Sequence, residues 1–157
     1  MLFIQDTDAT SKKNPMHFDP DNHVVKLCAR GMELEASQDP QKAGDLFMQA
    51  WEDAKNDFEK FIAAHYVARH QKTIGDKLSW DKTALHFAQK IGDEGMAAYY
   101  PSLYLNIAHC YEQLGDRGNA EKNYQNALLH KDCLPDDGYG RMIKSGIERG
   151  LARLTTW

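Results

Sequence analysis

Cysteine is scarce: Cys28, Cys110 and Cys133 are the only three, and they lie far apart. An odd count without a Cys-x-x-Cys pair excludes a disulfide framework and a structural zinc site of the usual spacing, and predicts reduced thiols in a cytoplasmic protein. Long apolar runs are also missing, so no membrane-spanning segment is expected, and Met1-Leu2-Phe3-Ile4 is too short for a secretory signal core. There is no excess of positive charge. Nineteen Lys and Arg stand against 23 Asp and Glu, for a net charge of −4. A protein that binds nucleic acid by neutralising phosphates needs the opposite balance. Strand-like alternation is absent, and the only compact glycine pair, Gly138-Tyr139-Gly140, follows acidic turn residues where a nucleotide-binding loop would follow a strand. What the chain does have is 42% hydrophobic residues, enough apolar surface to fold one domain of 157 residues.

The apolar residues recur with helical period. Val24, Leu27, Cys28, Gly31, Met32 and Leu34 share one face, and Ala43, Leu46, Phe47, Ala50 and Ala54 share another. Asp39-Pro40 reads as a helix start, since Asp accepts from free N–H groups and Pro fits the first helical position. Gly115-Asp116 ends one helix and opens the next, and Ser79, Asp136-Asp137 and Asp21 are further candidate caps. About seven helices are expected. Residues 1–20 read as a loose arm, polar and unpatterned from Gln5 to Asn14 and punctuated by Pro15 and Pro20, with Met16 as an alternative start and residues 21–157 as the domain.

The stretch Tyr104-Leu105-Asn106-Ile107-Ala108-His109-Cys110-Tyr111, followed by Gly115-Asp116, Ala120, Tyr124 and Ala127, has small and bulky residues at fixed places. Small ones are required where paired helices touch, and large ones fill the space beside them. This segment resembles the tetratricopeptide repeat family. The template recurs at Leu27, Gly31, Leu34, Ala43, Phe47 and Ala50, and in a middle unit at Val67, Ala68, Ala84 and Ala88. There the 12-residue step from Gly31 to Ala43 becomes 16, which predicts a longer turn near Thr73-Ile74-Gly75-Asp76. The resemblance implies an all-α helical-repeat solenoid of three helix pairs, at about 24–57, 58–96 and 97–134, with a capping helix over 136–154.

It also implies function. In this family the first helix of each repeat lines a concave groove that binds a peptide or protein partner, an adaptor or assembly role. Projecting the template places Cys28, Met32 and Glu35 in the groove from the first unit, and His65, Tyr66, Arg69 and Lys72 from the second. Leu105, Asn106, His109 and Gln113 follow from the third, and Lys144 from the last helix. An Asn amide both donates and accepts, so Asn106 suits a peptide unit of an extended ligand. Arg69, Lys72 and Lys144 form a candidate basic strip for an acidic segment or a terminal carboxylate.

Other chemistries find less support. His65 and His70 are five apart, the wrong spacing for one helical face, and no His-Glu-x-x-His is present. No metal or cofactor is expected. Asp19-Pro20-Asp21-Asn22-His23 lacks the glycine and distal glutamate of a calcium loop. Some chains with a similar repeat region carry a nucleic-acid methyltransferase label, and Asn14-Pro15-Met16-His17 faintly resembles the Asn-Pro-Pro-Tyr loop of adenine methyltransferases. The sequence therefore reads as a non-enzymatic partner-binding domain, with self-association through an exposed edge of the helical stack as the alternative.

Overall fold

The computed structural model describes residues 19–156. The expected arm, apart from Asp19 and Pro20, the alternative start Met16, the tetrapeptide Asn14 to His17 and Trp157 lie outside the described residues. Among the described residues the secondary structure is entirely helical: α1 (His23–Ala36), α2 (Pro40–Asp53), α3 (Asp57–Arg69), α4 (Ile74–Ile91), a short α5 (Asp93–Met96), α6 (Tyr100–Gln113), α7 (Arg117–Leu129), a 3-10 turn (Lys131–Cys133) and α8 (Gly138–Leu154). No described helix is long and apolar enough to cross a membrane.

The helix starts follow local capping chemistry. Asp39 accepts from the Lys42 amide at 3.3 Å, Asp116 from that of Asn119 at 3.1 Å, and Asp137 from that of Gly140 at 2.8 Å. Two expected caps move. Asn22, not Asp21, caps α1 by accepting from Val25 N at 3.0 Å. Ser79 sits inside α4 with its hydroxyl donating to the Gly75 carbonyl, and the cap of that helix is Thr73, which accepts from Asp76 N. The four extra residues of the middle unit therefore lengthen α4 to 18 residues rather than the turn before it.

The helices pack as neighbours in sequence: α1 on α2, α3 on α4, and α6 on α7, with α2 against α3, α4 against α6, and α8 against both α6 and α7. The turns that close the first and third of these pairs repeat each other 77 residues apart. Gln38 at φ 67° and Gly115 at φ 77° are both left-handed. Asp39 N donates to Leu34 O, and Asp116 N to Tyr111 O, each at 2.9 Å. Glycine reaches this conformation without strain; glutamine does so at a steric cost that the turn's hydrogen bonds offset.

Close crossings require the small residues. A side chain at Gly31 would place its Cβ 2.3 Å from the Phe47 ring, and one at Gly150 would place it 2.1 Å from the Tyr124 ring. Ala108 and Ala120 are both fully buried in the core that α6, α7 and α8 share with Tyr124. Ala108→Leu should overpack this contact and cost about 1–3 kcal/mol, seen as a lower midpoint in urea. An unchanged midpoint would remove the assigned register of the α6–α7 pair.

The charged residues of α3 lie at its two ends, and every residue from Phe61 to Ala68 between them is buried. A helical segment buried on every side belongs in the interior. Its N-terminus is fastened by Glu59, which accepts from Asn22 Nδ2 and from Lys55 N, both at 2.7 Å.

Candidate functional site

The placement of α3 corrects part of the expected groove. His65 and Tyr66 are 6% and 0% exposed, so neither presents its side chain to a partner. Burial lowers the His65 pKa well below the usual histidine value, which keeps the ring neutral. Cys28 and Leu105 are likewise buried in the core. The physical reason is common to all four: each points into the packing between neighbouring helices, where apolar surface is removed from water.

The basic strip is not assembled. Arg69, on the last turn of α3, pairs through Nη2 with Glu35 Oε2 of α1 at 3.0 Å, and His70 Nε2 lies 2.6 Å from Glu35 Oε1. Lys72 falls past the end of α3, in the turn before α4, and lines a cleft with Gln41, Gly44 and Met48 of α2. Lys144 lines a different cleft, beside Leu128 and Lys131 at the far end of the chain. The template assumed one continuous first helix in each unit, and α3 stops too early to carry Lys72 on it.

The polar residues of α6 do come together. Asn106 and His109 are half-buried and Gln113 is exposed. Their spacing of three and four residues places them on one helical face. The strip ends in a cleft of about 420 Å³ lined by His109, Glu112 and Gln113, with Arg153 arriving from α8. Sequence reasoning passed over Glu112 and Arg153. Arg153 Nε and Nη2 donate to the two carboxylate oxygens of Glu112 at 2.7 and 2.9 Å. The buried Tyr124 hydroxyl also donates to Glu112 Oε2, and Arg153 Nη2 reaches Tyr124 Oη at 3.2 Å. These bonds hold the Glu112 carboxyl at about 2, far below its usual range, with the Arg153 hydrogen bond as the leading cause. The His109 ring meets Tyr124 edge-on at 5.7 Å, and burial together with the nearby Arg153 charge lowers its pKa.

Glu112 lies 77 residues after Glu35, the same step that relates the two turns. Each glutamate sits on the last turn of its helix and pairs with an arginine from a later helix: Arg69 for Glu35, Arg153 for Glu112. The third member differs. Tyr124 supplies a hydroxyl to Glu112, whereas Phe47 at the matching place has none, and His70 meets Glu35 in its stead while packing 5.2 Å from the Phe47 ring. The signal was present as a repeated glutamate, but its partners are far away in sequence.

A second polar group is buried between α4 and α6. Asp81, 1% exposed, accepts from Lys77 Nζ at 2.6 Å and from the Cys110 thiol at 3.5 Å. Burial pushes the Asp81 carboxyl up, with Lys77 opposing the shift, and pushes the Cys110 thiol up to about 11. A protonated, fully buried thiol is a poor nucleophile, so this trio joins helices. Comparison with family models, with curated proteins and with solved structures finds no match for the chain.

Proposed function

We propose that the chain is a protein-interaction module of the tetratricopeptide type, which holds an extended segment of a partner along the polar face of α6 in an adaptor or assembly role. The observation that carries this reading is the Asn106–His109–Gln113 strip running into the cleft at Arg153. The 77-residue structural repeat supports the repeat architecture, and the template residues Gly31, Phe47, Ala108, Ala120 and Tyr124 supply the close contacts of their helix pairs. No catalytic role is assigned to any residue, and the setting is a reducing, cytoplasmic one. In this reading Asn106 donates to and accepts from one peptide unit of the ligand.

Affinity capture from native lysate followed by mass spectrometry supplies the partner, and calorimetry with the captured segment tests the site. Asn106→Ala should weaken binding by about 1–2 kcal/mol without unfolding the protein. Full affinity in that variant would remove the α6 strip from the interface. Self-association is the second reading, favoured by Leu129 and Met142 of the last two helices, which are 79% and 51% exposed. Sedimentation equilibrium decides it: a monomer at all concentrations excludes it.

A further inference from the structure

The starts of α1, α3, α6 and α8 lie along one edge of the molecule. Asn22, which caps α1, donates to Glu59 on the first turn of α3 at 2.7 Å. Phe61, one turn further along α3, meets Tyr99 at the start of α6 edge-on at 5.4 Å, and Phe58 tilts against Phe61 at 6.2 Å. Tyr139 follows on the first turn of α8. Burial pushes the Tyr99 hydroxyl up to about 12, and the Tyr139 hydroxyl is near enough to add to that shift. Phe58, Tyr99 and Tyr139 thus form an aromatic row, and each ring is only partly buried. Aromatic side chains gathered at the surface are the composition of a contact site.

The chain itself enters at this edge. Asp19 and Pro20 lead into α1 through Asn22, beside the start of α3. Eighteen residues precede Asp19, and their one run of apolar side chains is Met1-Leu2-Phe3-Ile4. We propose that this tetrapeptide docks on the aromatic row of its own chain, with Leu2, Phe3 and Ile4 against Phe58, Tyr99 and Tyr139. Removal of these apolar side chains from water drives the docking.

The reach fits the span. The connecting stretch from Gln5 to Phe18 has 14 residues. A flexible chain of that length has an end-to-end distance of roughly 20 Å. The start of α6 lies two helix-to-helix steps from that of α1, each about 8–10 Å. A tether is most effective at such a match, and holds its segment at an effective concentration on the order of 1 mM. At micromolar protein, the tetrapeptide of a second copy competes roughly a thousandfold less well. The polar residues from Gln5 to Asn14 keep the tether in water, which leaves the tetrapeptide as its adhesive part. The row lies at the opposite end of α6 from Gln113. Docking there is therefore independent of the Asn106–Gln113 strip and of any partner held on it.

NMR on the intact protein tests the proposal. Nuclear Overhauser contacts should connect the Leu2, Phe3 and Ile4 side chains to the rings of Phe58, Tyr99 and Tyr139. A mixture of isotope-labelled and unlabelled chains should show that these contacts arise within one copy, at every protein concentration. A full-length variant carrying Leu2→Ser, Phe3→Ser and Ile4→Ser should lose them. A synthetic peptide of residues 1–15 should bind this variant about tenfold more tightly than the parent, whose own arm competes for the row. The same peptide with the three serines should bind neither. The proposal is overturned if the tetrapeptide makes no contact with these rings, which would leave the row to a different protein. It is overturned equally if the contacts run only between copies, which would make the edge a site of arm exchange. Equal binding of the peptide to parent and variant would also overturn it. The contacts in the parent are read without any substitution, so the result does not depend on how the variant folds.

Discussion

Phe47→Ala should destabilise the protein by about 3–5 kcal/mol, a large part of the total stability of an ordinary domain. The ring is fully buried, stacks on Tyr66 at 5.1 Å and fills the space that Gly31 leaves open in α1. Truncation leaves a cavity between α1, α2 and α3. Glycine cannot refill it, and the helices are already held at their separation by Ala43 and Ala50, both fully buried. Urea denaturation followed by circular dichroism measures the loss. A change under 1 kcal/mol would mean that α1 collapses onto α2, and that the ring is not what sets the spacing of the first helix pair. The reciprocal change, Gly31→Val, should also destabilise, because its Cβ would press against the edge of the Phe47 ring, closer than any van der Waals contact.

Glu112→Ala should cost about 2–4 kcal/mol. Most of that comes from the Tyr124 hydroxyl, which is buried and loses its carboxylate acceptor. The Arg153 pair contributes less, because half of the guanidinium side chain is in water. Glu35→Ala should cost only about 1–2 kcal/mol, since Phe47 has no hydroxyl to strand. The same carboxylate makes stability depend on acid. Its pKa is depressed in the folded protein, so the contribution is fully present above the ordinary glutamate value and is lost as pH falls towards about 2. Thermal melts of the parent and of Glu112→Gln between those limits should converge as pH falls. Parallel curves would show that Glu112 does not titrate with folding.

The helical class and most helix starts were legible in the sequence because they depend on nearest neighbours. Asp39, Asp116 and Asp137 each bond an amide three residues on, and no distant contact is needed to place them. Ser79 misled for a related reason: the cap signal of Thr73 was hidden inside a segment read as a turn, although Thr73 and Asp76 have the ordinary capping separation. The burial of His65 and Tyr66 was also open to inspection, since Phe61 to Ala68 offers no polar face, and a template projection overrode that pattern. Arg153 was not legible. It meets Glu112 across 41 residues, and its charge looks like that of any exposed helix residue until α8 is docked. Of the expected groove, the α6 residues share a face because their spacing is intrahelical, whereas the basic strip required three separate elements to converge.

The two glutamate clamps lie at opposite ends of the chain, and a different fastening holds its middle. Lys72 occupies the matching place in the middle unit, beyond the end of α3 and exposed, so no carboxylate is available there. Instead α4 and α6 are joined by the buried Asp81 carboxylate and the Cys110 thiol. Screening by dissolved ions reaches partly exposed pairs far more than buried ones. Rising ionic strength therefore loosens the two ends while leaving the centre fastened, and amide hydrogens should begin to exchange with solvent in α1 and α8 before those of α4 and α6. The molecule frays from its ends inward, about a junction that salt scarcely touches.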